Sequence, residues 1–200
     1  LQPYEITREV INGKVLQEQE ANIIALWSKF EYEWNKDLEE SDISRDSMDL
    51  VIMSDVSGSM CGIAMEACVS LSLLFANRLK KPWKNKVLTF DSEPQWYDIP
   101  EHMNIVEKIK YLLRAPWGGG TNIGLALERM LDTAVKNRIT PTDMPSKLLI
   151  LSDMQFDQAC HPGDEFLTGY EFIKSKYNLY GYTMPHIIFW NLRGNTTGYS

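Results

Sequence analysis

The chain has 200 residues, of which 44% are hydrophobic and 24% charged, and its formal net charge is −7. A chain of this length and composition can bury a full hydrophobic core as one domain. No apolar run approaches the roughly 20 residues that cross a bilayer, and the N-terminal residues lack the pattern of a signal peptide. The composition therefore argues against a membrane protein.

Negative charge is concentrated near the N-terminus, where residues 1–47 hold 11 acidic and 5 basic side chains and so carry −6 of the total of −7. The rest of the chain is nearly neutral. Nucleic-acid-binding surfaces show clustered Lys and Arg, so we expect no direct nucleic acid binding. The three cysteines (Cys61, Cys68 and Cys160) give no disulfide framework, which predicts reduced thiols and an intracellular, cytoplasmic location.

An amphipathic helix is predicted from Val15 to about Leu38, where apolar and aromatic side chains recur at helical spacing. We expect residues 1–47 to form an acidic helical segment with a linker, and residues 48–200 to form the main domain. The helix either packs on that domain or connects it to a further neighbour. Because the chain lacks an initiator Met, we interpret it as a piece of a longer protein.

Strands and helices alternate from residue 48 onward. Apolar runs predict buried strands at 48–55 and 146–153, a further strand at 86–92 and the last strand at 186–192, with a short edge strand within 93–99. Helical patterns fall at 62–79, 101–113, 122–138 and 165–179. This alternation predicts an α/β fold, with a doubly wound, mostly parallel central sheet that has helices on both faces and follows an N-terminal helix.

Oxygen-bearing side chains lie in three loops at the carboxyl edge of the predicted sheet. Asp55, Ser57 and Ser59 alternate just past the first strand, Thr121 follows a run of glycines, and Asp153 ends the strand "LLILSD". Hard divalent cations select oxygen ligands, and Mg²⁺ takes six of them in an octahedron. These five residues therefore predict a site for one Mg²⁺ or Mn²⁺ ion.

Neighbouring residues are candidates for supporting the ion or for contacting a ligand. Glycine permits a tight turn or a close backbone approach, which is the role expected in both loops. The candidates for a supporting or ligand-binding role are Gly58, Asp91, Trp117, Gly120, Asn122 and Asp157. Trp117 is either an exposed recognition residue or a core residue. Asp157 is either a solvated or helix-capping carboxylate or a ligand of the ion.

Simpler roles compete with metal binding at two of the predicted ligands. Ser59 could cap the helix that starts near Gly62, and Thr121 could cap the helix at 122–138. Capping explains one residue of the first loop but not all three of its oxygen-bearing side chains. Asp153 stands at a strand end, where a carboxylate has few structural roles.

Three sequence parts, "DVSGSM", "GGGTN" and "LSDMQFD", together resemble the metal-ion-dependent adhesion site of von Willebrand factor A domains over residues 48–192. The longer stretch "WGGGTNIGLALE" and "LSDMQFD" are most similar to an uncharacterised group of such domains in plants, fungi and large DNA viruses. The resemblance implies a metal shell, partly bound through water, made of Asp55, Ser57, Ser59, Thr121 and Asp153. It also implies a further strand and helix after residue 192, which a chain that stops at Ser200 lacks.

Functions of different classes fit this pattern. In a binding module, the metal keeps an open position for an Asp or Glu carboxylate of a protein partner. In an enzyme, Asp55 would be the nucleophile of Mg²⁺-dependent phosphoryl transfer. That chemistry calls for an acid/base carboxylate at position 57 and for a Lys that holds the phosphate. Position 57 is Ser, and no Lys lies close in sequence to the loops that carry the predicted ligands. We therefore expect a binding module without enzymatic activity or membrane contact, cytoplasmic or, if its parent is viral, associated with the virion. A metal-independent structural or assembly domain is the alternative.

Overall fold

The sheet consists of four parallel strands and one antiparallel edge strand. The structure, a computed structural model, describes residues 2–13, 15–41, 48–115, 122–153 and 164–193. The strands are β1 (Leu50–Ser54), β2 (Lys86–Thr89), β3 (Trp96–Asp98), β4 (Lys147–Ser152) and β5 (His186–Asn191). The helices are α1 (Pro3–Ile11), α2 (Gln17–Glu40), α3 (Ile63–Ala76), α4 (Ile105–Leu112), α5 (Ile123–Lys136) and α6 (Asp164–Leu179). The α/β class and the mostly parallel sheet predicted from the sequence are confirmed.

The strand order β3-β2-β1-β4-β5 places β1 at the centre of the sheet. β1 pairs in parallel with β2 and β4, and β4 pairs in parallel with β5. The short strand β3 pairs antiparallel with β2 at one edge, as the sequence predicts. Ser54 lies opposite both Thr89 and Leu151, and Ser152 lies opposite Asn191, so the parallel strands end at a common edge.

The three inner strands are buried, as their continuous apolar sequences predict. Val51, Ile52 and Met53 of β1 and most of β2 and β4 are inaccessible to solvent. β5, predicted as the last strand, is less buried, and its Ile188, Phe189 and Trp190 are each about two-fifths exposed. The physical reason is its position at the edge of the described sheet, where a strand lacks one neighbour.

The helices near the N-terminus pack on the main body of the chain. α1 contacts α3, α4 and α2, and its Ile6 and Val10 are buried to 2% and 4% exposure. Thr7 Oγ1 lies 2.7 Å from Ser70 Oγ of α3. α2, the predicted helix, also packs on this body through its buried Trp27, so the packed alternative holds over the connector alternative. The predicted linker extends into residues 42–47, which lie outside the described residues.

α1 is a helix that the sequence analysis does not predict. A nine-residue helix is marginal in isolation and is stabilised by tertiary packing. An ion pair supplies part of that packing, since Arg8 Nε donates to both carboxylate oxygens of Glu66 in α3 at 3.0 and 2.9 Å. Local periodicity over so short a stretch carries little of this information.

We predict that Ile6→Ala destabilises the chain by about 2–4 kcal/mol, because it opens a cavity in a core that α1 helps to build. Urea unfolding followed by circular dichroism measures the change. Glu9→Ala on the exposed side of the same helix is the matched control and should shift the free energy of unfolding by less than about 0.5 kcal/mol. Equal, small effects of both substitutions would mean that α1 contributes nothing to the domain.

Candidate metal centre

The candidate site lies where the chain leaves two adjacent strands in opposite directions. β1 connects through α3 to β2 on one side, and β4 connects through α6 to β5 on the other. In open α/β sheets, ligands bind in the crevice at the carboxyl ends of such strands. Asp55 is the first residue after β1, and Asp153 is the first residue after β4. The topology therefore brings these two carboxylates to one crevice.

Asp55 is held from both sides of this crevice. Its side chain is 3% exposed, and its backbone N–H donates to the Leu151 carbonyl at 3.0 Å. Oδ2 accepts a hydrogen bond from Ser152 Oγ at 2.7 Å, and Oδ1 accepts one from the Ser57 backbone N–H at 3.0 Å. A carboxylate oxygen accepts two bonds, so each oxygen keeps capacity to bind a cation.

The two serines of the first loop place their hydroxyls together. Ser57 Oγ and Ser59 Oγ are 3.0 Å apart, and both residues are half-buried. α3 is capped by Gly62, and Ser59 does not provide the cap. The positive φ of this loop also belongs to Gly62, at 84°, whereas Gly58 starts a 3₁₀ turn with open space where a Cβ would stand. The glycine that this loop needs for its backbone conformation is therefore Gly62, four residues after Gly58, where the sequence analysis expected it.

Asp153 is 1% exposed and faces a cation that the sequence analysis does not identify. Arg193 Nε lies 3.4 Å from Asp153 Oδ2, and Arg193 Nη2 donates to the Ser59 carbonyl at 2.7 Å. Arg193 stands two residues after β5, at the same edge of the sheet. That position in the sequence is the signal that could have found it, but a search for oxygen ligands passes over a basic residue.

Two of the proposed supporting residues are engaged locally. Asn122 caps α5, since its Oδ1 accepts from the Leu125 N–H at 2.9 Å, and its own N–H donates to the Asp91 carbonyl at 3.2 Å. Asp91 Oδ1 accepts from the backbone and hydroxyl of Ser92 at 2.6 and 3.0 Å.

Four predicted residues lie outside the described residues, namely Trp117, Gly120, Thr121 and Asp157. The described part of the site therefore consists of Asp55, Ser57, Ser59 and Asp153.

The donor chemistry of these four residues fits a hard cation. Within the described ranges, no group of three or more His, Cys, Asp or Glu side chains is placed to hold a metal. Two carboxylates with two hydroxyls instead match Mg²⁺ or Mn²⁺, which accept neutral oxygens and water to complete the shell. The deep burial of both carboxylates also favours a nearby positive charge, because buried anions are costly unless they are compensated.

Cys68 of α3 lies behind the candidate site and is an unreactive thiol. Its Sγ donates to the Leu151 carbonyl at 3.7 Å. Burial, and next the negative charge of Asp55, raise the pKa of Cys68 to about 12. Cys61, in contrast, is exposed at the end of the loop that follows β1.

We predict that iodoacetamide at pH 8 alkylates Cys61 of the folded chain and modifies Cys68 at least about a hundredfold more slowly, because the thiolate is the reactive form. Peptide mass spectrometry measures both rates. The pKa of the unfolded thiol is near its ordinary value of 9.0. The contribution of this group to stability is therefore present below pH 9 and is lost as the pH rises toward 12. Equal rates for the two cysteines in the folded chain would refute this description of Cys68.

The fold and the crevice define an α/β domain with an acidic site at the carboxyl edge of its sheet. The family model of a domain of unknown function, DUF7788, matches residues 49–199, and the chain belongs to this family. "Uncharacterized protein L728" of Acanthamoeba polyphaga mimivirus is 37% identical over 139 residues, which cover 70% of this chain and 24% of that protein. The chain thus spans about a quarter of the length of this curated relative.

This match corrects the assignment to von Willebrand factor A domains, which is wrong: the family shown is DUF7788. Short motif parts at strand ends identify an oxygen-rich edge of a sheet, and such sites are carried by unrelated families on similar folds. Any argument for a metal must therefore rest on the residues of this chain. Among the described residues, no helix has the length and the apolar character needed to cross a membrane.

Proposed function

We propose that this domain is a divalent-cation-dependent protein-binding module. Asp55 and Asp153 are its charged ligands for Mg²⁺ or Mn²⁺, and Ser57, Ser59 and Thr121 supply neutral oxygens. The observation that carries the proposal is the burial of both carboxylates, 3% and 1% exposed, at the ends of adjacent parallel strands. An apolar or amide side chain would fill either position at a lower desolvation cost.

A divalent ion matches this environment in charge. Burying a carboxylate costs several kcal/mol unless cations and hydrogen bonds compensate it. Hydrogen bonds from Ser152 and Ser57 orient Asp55 but leave both oxygens able to bind further. Two carboxylates neutralise a 2+ ion, so the filled site carries little net charge apart from that of Arg193.

The coordination number then supports a binding function. Five protein oxygens leave roughly one of six positions around Mg²⁺ for water or for a guest. A hard anionic oxygen is the best guest, because it displaces water and adds attraction at short range. The proposed partner is therefore a protein that presents an Asp or Glu carboxylate.

The setting of the module forms part of the same proposal. We propose that the sheet is doubly wound and that the binding crevice lies at the switch between β1 and β4. Free thiols at Cys61 and Cys68 support an intracellular, cytoplasmic location. Ser57 stands where a phosphoryl-transfer enzyme would need a second carboxylate, which supports binding over catalysis.

We predict a single Mn²⁺ or Mg²⁺ site by isothermal titration calorimetry, and a loss of affinity of at least about a hundredfold in Asp153→Asn, since a charged ligand becomes neutral. Asp98→Asn is the matched control, because it removes an exposed carboxylate of β3 that pairs with Lys86 and lies outside the candidate site. Its affinity should equal that of the unchanged chain. If Asp153→Asn bound the ion as tightly as the unchanged chain does, Asp153 would not be a ligand of the site.

We further predict that a carboxylate ligand reaches the bound ion. In the Mn²⁺-loaded chain, the protons of N-acetyl-aspartate amide should show enhanced paramagnetic relaxation by NMR, because the carboxylate takes the open position. N-acetyl-asparagine amide is the control and should show little enhancement. Equal relaxation of both compounds would mean that the ion is closed to carboxylates, even if metal binding itself is intact.

A further inference from the structure

Arg193 joins the two loops that carry the buried carboxylates. Its Nε lies 3.4 Å from Asp153 Oδ2, after β4, and its Nη2 donates to the Ser59 carbonyl, after β1, at 2.7 Å. The Arg193 side chain is 37% exposed, whereas that of Asp153 is 1% exposed. One guanidinium thus reaches from solvent into the crevice.

The backbone at the end of β5 fixes where this side chain starts. Ser152 lies opposite Asn191 in the parallel pair, and the Leu192 N–H donates to the Ser152 carbonyl at 2.9 Å. The Arg193 N–H then donates to Asn191 Oδ1 at 2.9 Å. The register of β4 and β5 therefore brings the backbone of Arg193 close to that of Asp153.

The guanidinium and a bound divalent ion would use the same oxygen atom. An ion ligated by Asp153 Oδ2 at about 2.1 Å would lie within about 5.5 Å of Arg193 Nε, given the 3.4 Å contact. This separation is shorter than the Debye length of about 8 Å at physiological ionic strength, so salt screens the repulsion only partly. Arginine keeps its charge throughout the accessible pH range, so losing a proton cannot relieve it.

The contact with Asp153 is loose enough to be given up. Strong charge-assisted bonds between guanidinium and carboxylate have lengths near 2.7–2.9 Å and are often bidentate. The contact of Arg193 Nε with Asp153 is longer, at 3.4 Å, while the shorter bond of the guanidinium goes to the Ser59 carbonyl. Partial exposure gives the guanidinium room to turn toward solvent.

We infer that Arg193 is the resident counter-ion of the Asp153 carboxylate and that a divalent cation must compete with it for this site. The inference rests on the proposed function, because it assigns to Arg193 the control of cation affinity. With Arg193 in place, Asp55 and Asp153 present one net negative charge instead of two. A monovalent ion gains no charge advantage over the guanidinium, so Arg193 also makes the site selective for divalent cations.

The test compares Mn²⁺ affinity, measured by electron paramagnetic resonance of free Mn²⁺, in the full chain and in three variants. Arg193→Gln should bind Mn²⁺ at least about tenfold more tightly, and Arg193→Lys, which keeps the charge, should stay within about threefold of the unchanged chain. Arg129→Gln is the matched control: Arg129 faces Glu93 at 3.8 Å, and its variant should leave affinity unchanged.

A second measurement needs no variant and applies if Arg193→Gln fails to fold. The Arg193 Nε–H resonance of the unchanged chain should shift on titration with Mg²⁺, while that of Arg129 stays in place. An unshifted Arg193 resonance at saturating Mg²⁺, or unchanged affinity in Arg193→Gln, would overturn the inference and leave the metal site standing. If neither the unchanged chain nor Arg193→Gln binds Mn²⁺, the proposed function fails and the inference fails with it.

Discussion

The burial of two carboxylates at the ends of neighbouring parallel strands is the constraint on which the rest of the site depends. Asp55 and Asp153 are almost inaccessible to water, and such charges are stable only where dipoles or cations compensate them. Ser152 and the Ser57 N–H supply dipoles to Asp55, and Arg193 supplies a positive charge to Asp153. Hydrogen bonds, the Arg193 guanidinium and the proposed divalent ion would all act on these two carboxylates.

The scaffold connects this crevice to the opposite end of the chain. The loop after β1 leads through Gly62 into α3. α3 is held in turn by α1, through the contacts of Thr7 with Ser70 and of Arg8 with Glu66. The acidic N-terminal segment therefore supports the helix that follows the site. The negative charge of this segment does not prevent the contact, because the ion pair with Glu66 is made by Arg8, one of the segment's few basic residues.

The sequence predicts the strands and most helices because continuous apolar runs and helical stripes are local signals. It misses α1, whose Ile6 and Val10 are stabilised by partners far along the chain. It predicts β5 as the last strand but not the order of the strands, since strand order is a property of the whole sheet. Asp55 and Asp153 are predicted together because parallel strands end at one edge, whereas Arg193 depends on the β4–β5 register. The family assignment fails because short motifs report a type of site and not a lineage.

A crystal of the full chain soaked in Mn²⁺ and measured at a wavelength with strong manganese anomalous scattering tests the central claim most directly. The account predicts one anomalous peak about 2.1–2.3 Å from carboxylate oxygens of Asp55 or Asp153, with bound water or hydroxyls of the serine loop completing the shell. It also predicts that the Arg193 guanidinium turns away from Asp153 in that crystal. A strong peak elsewhere, or none at this crevice with Arg193 still on Asp153, would contradict the account.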